Sequence, residues 1–179
     1  MAITILDNGY IFVPREDWDY SVDFPSGRVA TPVEQVFIHH SVTNPTNNPC
    51  ADAGHIERVL DARDLDGYSY LAHPSGTILE FAGSNRGEHT AKHNSTSYAY
   101  CLIGNYDIMQ PTMAQIINIA RSINLQRLKG DVTMDISRLQ ILPHSAVKST
   151  ACPGANVRDA RLNGATILEW IKWFVATGV

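Results

Sequence analysis

Short apolar runs alternate along this sequence with longer stretches of helical period, and that alternation constrains the fold more than any other feature. Residues 36–42, Val-Phe-Ile-His-His-Ser-Val, read as a short buried strand. Residues 68–72 and 77–81 read as two strands of a hairpin turning at His73-Pro74-Ser75-Gly76. Residues 98–104 form a further strand, as do residues 139–142, which stop at Pro143. A helix is expected from about 52 to 63 with Ile56, Val59 and Leu60 on one face, although Gly54 weakens it. A second spans 112–128 behind Pro111, with Met113, Ile116, Ile117, Ala120 and Ile123 at helical spacing. The last, over 164–175, carries Ile167, Leu168, Ile171 and Phe174 as its apolar stripe. Residues 44–50, which hold Pro45 and Pro49, and the polar stretch 84–96 read as loops. This order predicts an α/β fold in a single domain, with a mixed central β-sheet flanked by helices.

Length and composition agree with one domain over 1–179: 44% hydrophobic and 18% charged residues supply a sizeable core. Residues 1–30 are turn-rich and predict an N-terminal arm, with one short apolar run at 10–13 and with Trp18 and Phe24 packing it down. A formal charge of -4 provides no basic field, so no nucleic-acid partner is expected. No apolar run approaches the roughly 18 residues of a membrane span, so no membrane partner is expected. The first residues lack the charged and apolar regions of a signal peptide, which predicts synthesis and folding in a cytoplasm. Three cysteines, Cys50, Cys101 and Cys152, are too few for a disulfide framework, and a thiol is available as a metal ligand.

The candidate chemistry gathers in two places. One is His39-His40 within the strand 36–42; the other is His144 with Cys152, eight residues apart around a loop that follows the strand 139–142. Strand alternation sends His39 and His40 to opposite faces, so only one of them can easily join a given site, and the pattern does not decide which. Nitrogen and sulfur donors suit zinc, and a catalytic zinc keeps three protein ligands and one position for water. A strand histidine is usually a core or surface residue and a lone cysteine a small hydrophobe, so these residues alone leave the metal site open.

A set of motifs in fixed order adds to this. Phe37-Ile38-His39-His40-Ser41-Val42-Thr43 is followed by Gly67-Tyr68-Ser69-Tyr70 and by residues 88–97, Glu-His-Thr-Ala-Lys-His-Asn-Ser-Thr-Ser. Cys101-Leu102-Ile103-Gly104-Asn105-Tyr106, Pro143-His144 and Thr150-Ala151-Cys152-Pro153-Gly154 complete it, with Arg15-Glu16-Asp17-Trp18 ahead of them. The sequence resembles the zinc-dependent N-acetylmuramoyl-L-alanine amidases, the superfamily that includes phage lysozyme-type amidases and animal peptidoglycan-recognition proteins. The likeness spans roughly residues 14–160.

That resemblance implies His39, His144 and Cys152 as zinc ligands and bacterial peptidoglycan as the partner. It implies Tyr68 and Thr150 as catalytic groups beside the metal, and His89, His93 and Asn94 in the loop bordering the substrate groove. Thr150 brings no positive charge, and Lys148, two residues earlier, is the candidate to supply one. Cys101 stands where many bacterial members place a glutamate base, as in the phage branch, and Glu80 and Glu88 are the substitutes for it. His55 and His73 carry no functional signal. The implied activity is zinc-dependent hydrolysis of the amide between N-acetylmuramic acid and L-alanine. The setting expected is a monomeric phage endolysin, made in a host cytoplasm and acting on the wall after release. The alternatives are a non-catalytic peptidoglycan-recognition module and a cytoplasmic muropeptide-recycling amidase.

Overall fold

The computed structural model describes residues 4–5, 9–18, 25, 27–30, 32–128 and 138–179. Phe24, expected to pack the arm, lies outside the described residues. The elements in order are β1 (Thr4–Ile5), β2 (Ile11–Val13), β3 (Gln35–His40), α1 (Pro49–Asp61), β4 (Tyr70–Ala72), β5 (Ile78–Glu80) and β6 (Ser97–Leu102). There follow α2 (Met113–Leu128), β7 (Gln140–Pro143), α3 (Ala155–Arg158), β8 (Arg161–Leu162), β9 (Ala165–Thr166) and α4 (Ile167–Thr177).

Seven strands form one sheet in the order β1-β2-β5-β4-β6-β3-β7. Strands β4, β6, β3 and β7 run parallel, β4 and β5 pair antiparallel as the expected hairpin, and β2 runs parallel to β5. The sheet is mixed and flanked by helices, as the alternation of patterns requires.

Its two faces are both covered, which is why the central strands are apolar throughout. Val36 and Ile38 of β3, with Tyr98, Tyr100 and Leu102 of β6, pack in one cluster with Ile116, Ile119 and Ile123 of α2 and Ile167, Ile171 and Phe174 of α4. On the other face Leu71, Leu79, Cys101 and Ile103 pack with Ala53, Ile56 and Leu60 of α1 and with Trp18. Helix α4 starts at a capping box, in which Thr166 Oγ1 accepts the N–H of Glu169 at 3.2 Å while the Glu169 carboxylate accepts the N–H of Thr166 at 2.7 Å.

Two expectations are corrected. The start of α1 lies at Pro49, three residues earlier than expected, because proline suits the first helical position and Asn48 caps it, accepting the Ala51 N–H at 3.2 Å. Cys50 is therefore helical, and Val59, expected on the packed face, is exposed. The arm is also more than a packed tail. Its apolar run supplies β2 as a strand of the sheet, and Trp18 donates its indole N–H to the Glu80 carbonyl at 2.9 Å. Arg15 donates to the Phe81 carbonyl at 3.1 Å and pairs with Glu57 at 2.5 Å.

Candidate functional site

The C-terminal ends of parallel strands in an open α/β sheet leave their last side chains facing a crevice. Here β3 ends at His39-His40, and β7 runs through Pro143 into a single 3-10 turn, His144–Ala146. The loop after that turn folds back so that the Ser145 N–H donates to the Cys152 carbonyl at 3.1 Å. His144 and Cys152 are thereby brought to the end of β3, 113 residues in sequence from His39 to Cys152.

Donor atoms of His39, His144 and Cys152 all lie within 4.8 Å of one another. The His39 Nδ1 to Cys152 Sγ separation is 3.6 Å, and the His39 and His144 rings are 4.4 Å apart between centroids. Bonds of about 2.05 Å to nitrogen and about 2.3 Å to sulfur, opened to a tetrahedral angle, set nitrogen and sulfur about 3.6 Å apart. His144 Nε2 is buried and has no hydrogen-bond partner among the described residues. The donor set, its spacing and this orphaned nitrogen fit a tetrahedral metal ion of the zinc kind.

Electrostatics favour the ligand form of the imidazoles. Burial first, then the neighbouring His89, His144 and His40, hold His39 well below the ordinary histidine value, and burial with the Lys148 charge lowers His144. Both shifts favour the neutral ring, which keeps a lone pair. Burial pushes the Cys152 thiol up to about 11, so a cation binding there has a proton to displace.

Contacts settle the histidine pair. His39 lies over Cys101 in the β3–β6 register and faces this cluster, whereas His40 Nδ1 accepts the Tyr106 N–H at 3.2 Å. An open cleft of about 670 Å³ surrounds the cluster, within the range of ligand sites, and its walls include Tyr68, Arg63, Glu88, Asp107, Lys148 and Thr150. The Tyr68 ring lies 5.2 Å from the His39 ring, and the adjacent Cys101 thiol, burial and Cys152 hold its phenol well above its ordinary value. Thr150 Oγ1 accepts the Cys152 N–H at 3.2 Å. Val42, on the cleft lip, is β-branched yet has φ 58°, a strained conformation for such a residue, with its N–H held on the Gly104 carbonyl at 3.0 Å.

The loop histidines separate. His89 lines the cleft and is buried, and burial pushes it down to about 4. His93 is not among the cleft-lining residues. Its Nδ1 meets Gln35 Oε1 at 2.9 Å and its ring stands edge-on to Phe37, because it packs beside the start of β3, where Gln35 is the first residue. Asn94 lines the cleft, yet its Oδ1 is spent on two backbone amides, His89 N at 3.2 Å and Thr90 N at 2.7 Å. Glu80 lies beside Arg15, outside the cleft, while Glu88 is on the rim. Sequence reasoning missed Thr90, whose Oγ1 lies 3.1 Å from His39 Nε2, and the cleft residues Arg63 and Asp107. The histidine-threonine pair at 89–90 was the available signal.

A mixed sheet with a His-His-Cys cluster at the ends of its parallel strands defines an α/β protein built around a candidate metal cleft. The chain belongs to the N-acetylmuramoyl-L-alanine amidase family, which matches residues 29–155, in the superfamily of the peptidoglycan-recognition proteins. It is 31% identical to a peptidoglycan-recognition protein of Drosophila simulans, over 90% of this chain and 87% of that protein. To the pig N-acetylmuramoyl-L-alanine amidase it is 28% identical, over 69% of this chain and 22% of that protein. Among solved structures it is similar to bumblebee PGRP-SA, with a TM-score of 0.73 and 26% identity over 81% of this chain and 89% of that one.

Proposed function

We propose that this chain is a zinc-dependent N-acetylmuramoyl-L-alanine amidase. It acts as a monomer on the bond between the lactyl group of N-acetylmuramic acid and the L-alanine of the stem peptide. The observation that carries this reading is the convergence of His39, His144 and Cys152 donor atoms within 4.8 Å of one another in an open cleft. Zinc held by those three would supply a Lewis acid and a water acidified from about 15.7 towards about 7. The Tyr68 phenol, which stays protonated, donates to the scissile carbonyl oxygen as negative charge grows on it. Thr150 takes the Cys152 N–H on its oxygen and keeps its own O–H as a second donor. The buried Cys101 thiol carries no charge at neutral pH, so the carboxylates that line the cleft, Glu88 and Asp107, are the groups to which a proton can pass.

The test is digestion of purified bacterial walls followed by mass spectrometry. Stem peptides with free L-alanine amino termini are expected, lost together with zinc in Cys152→Ser; fully zinc-loaded protein that releases none would refute the proposal. A binding-only module is the second reading, favoured by relatives named as recognition proteins; the complete His-His-Cys set favours the enzyme. Such a module would retain wall binding with no product. The endolysin setting, with synthesis in a host cytoplasm and action on the wall after release, rests on the sequence motifs, while the relatives above are animal proteins. Turnover of intact walls supports it, and turnover of soluble muropeptides alone points to recycling.

A further inference from the structure

Metal-ligating histidines are oriented by whatever holds the second ring nitrogen. For His39 that group is a threonine hydroxyl, buried at 1% exposure and 3.1 Å from Nε2. The same oxygen lies 3.1 Å from His89 Nδ1. A hydroxyl carries one proton, so among three linked groups the proton positions are interdependent.

We infer that Thr90 is a positioning residue: its oxygen takes the Nε2–H of His39 and its own proton goes to Nδ1 of His89, presenting His39 Nδ1 as a bare lone pair. This rests on the zinc reading above and deepens it. The orientation follows from the contacts. His39 Nδ1 is the nitrogen 3.6 Å from Cys152 Sγ, so its proton belongs on Nε2, and Nε2 faces Thr90. With His39 donating, the hydroxyl is directed to the remaining acceptor within reach, His89 Nδ1. Were His89 to carry its proton on Nδ1, two rings would donate to one oxygen, and the hydroxyl proton would have neither ring to meet.

The turn that carries Thr90 is itself braced. Asn94 Oδ1 accepts both the His89 and Thr90 amides, and the His93 N–H donates to the Thr90 carbonyl at 2.9 Å. Asn94 and His89, expected at the substrate, thus act on His39 through Thr90: Asn94 sets the backbone and His89 sets the direction of the hydroxyl.

Nitrogen-proton correlation NMR of the metal-free wild-type protein reads the tautomer directly. Nε2–H at His39 and at His89 is expected; Nδ1–H at His39 overturns the inference. Zinc affinity by chelator competition is the second readout. Thr90→Val, which keeps the shape and removes the hydroxyl, is expected to lose roughly 10- to 100-fold in affinity. Thr90→Ser is expected to restore it to within a few-fold. Wild-type affinity in a folded Thr90→Val overturns the inference. If wild-type protein takes no zinc, the functional reading fails, while the wild-type tautomer still decides the role of Thr90. A Thr90→Val chain that does not fold leaves that same tautomer measurement to decide.

Discussion

Gly154→Ala tests whether the Cys152 loop is held in place by backbone packing. Gly154 sits at φ 92°, ψ 152°, a region open essentially to glycine, two residues beyond the candidate ligand. A Cβ there would stand 2.5 Å from the carbonyl carbon of Tyr106, 2.7 Å from its oxygen and 2.9 Å from the amide of Asp107. Ordinary carbon contacts lie at about 3.5–4.0 Å, so the overlap is about 1 Å against rigid main chain. The loop cannot easily yield, because the Asn156 N–H donates to that Tyr106 carbonyl at 3.0 Å and Ala155 N to Asp107 Oδ1 at 3.0 Å. Backbone strain of about 1–3 kcal/mol joins an overpacking cost of about 1–3 kcal/mol. A total near 4 kcal/mol lowers the melting temperature of a chain this size by roughly 8–16 °C. If the loop shifts instead, the 3.6 Å Sγ to Nδ1 spacing opens and zinc affinity falls. Gly164→Ala is the control, since φ is 87° there but a Cβ meets nothing within 4 Å; it should cost about 1 kcal/mol. Calorimetry and chelator competition measure both. Gly154→Ala with the melting temperature and zinc affinity of the control would refute the packing argument.

Tyr68→Phe should keep zinc bound and lower kcat roughly 10²- to 10³-fold, as loss of one oxyanion donor does; unchanged kcat removes Tyr68 from the chemistry. His93→Ala should leave KM and zinc content unchanged, because that ring is engaged with Gln35 and Phe37, and a tenfold rise in KM would return it to the groove. Thr166→Ala should remove the capping box of α4 at a cost of about 1 kcal/mol, or roughly 2–4 °C in melting temperature, and an unchanged melting temperature would contradict it.

The parallel strands and the helices α2 and α4 were legible because each is a run whose period survives in the sequence: Val36 and Ile38 alternate along β3, Ile167 and Ile171 recur at helical spacing along α4, and all four meet in one core cluster. The starts of helices were less so, since Pro49 reads equally as a loop residue and as a first helical residue until its cap is seen. The three-residue strand β2 is too short to show a period and depends on its distant pairing with β5, where Phe12 stands opposite Ile78. His39, His144 and Cys152 were nameable by resemblance, while alternation alone left His39 and His40 equivalent; the contact of one with Cys152 and of the other with the Tyr106 amide distinguishes them. The histidine-threonine pair marked the place of Thr90 but not its role, because its bond to His39 spans 51 residues and nothing local in a polar loop tells a hydroxyl that faces a ring from one that faces solvent. Resemblance made His89 a better candidate than His93 through its histidine-threonine pair, and the fold turns His89 to the cleft and His93 to Gln35.

The central claim is that His39, His144 and Cys152 hold one metal ion that makes this cleft hydrolytic. Release of L-alanine amino termini from purified walls, followed while zinc is titrated into chelator-stripped protein, tests it most directly. No release is expected at the start, followed by a rise that levels off at one zinc per chain. Release undiminished in the stripped protein, or a filled site with no release, would contradict it.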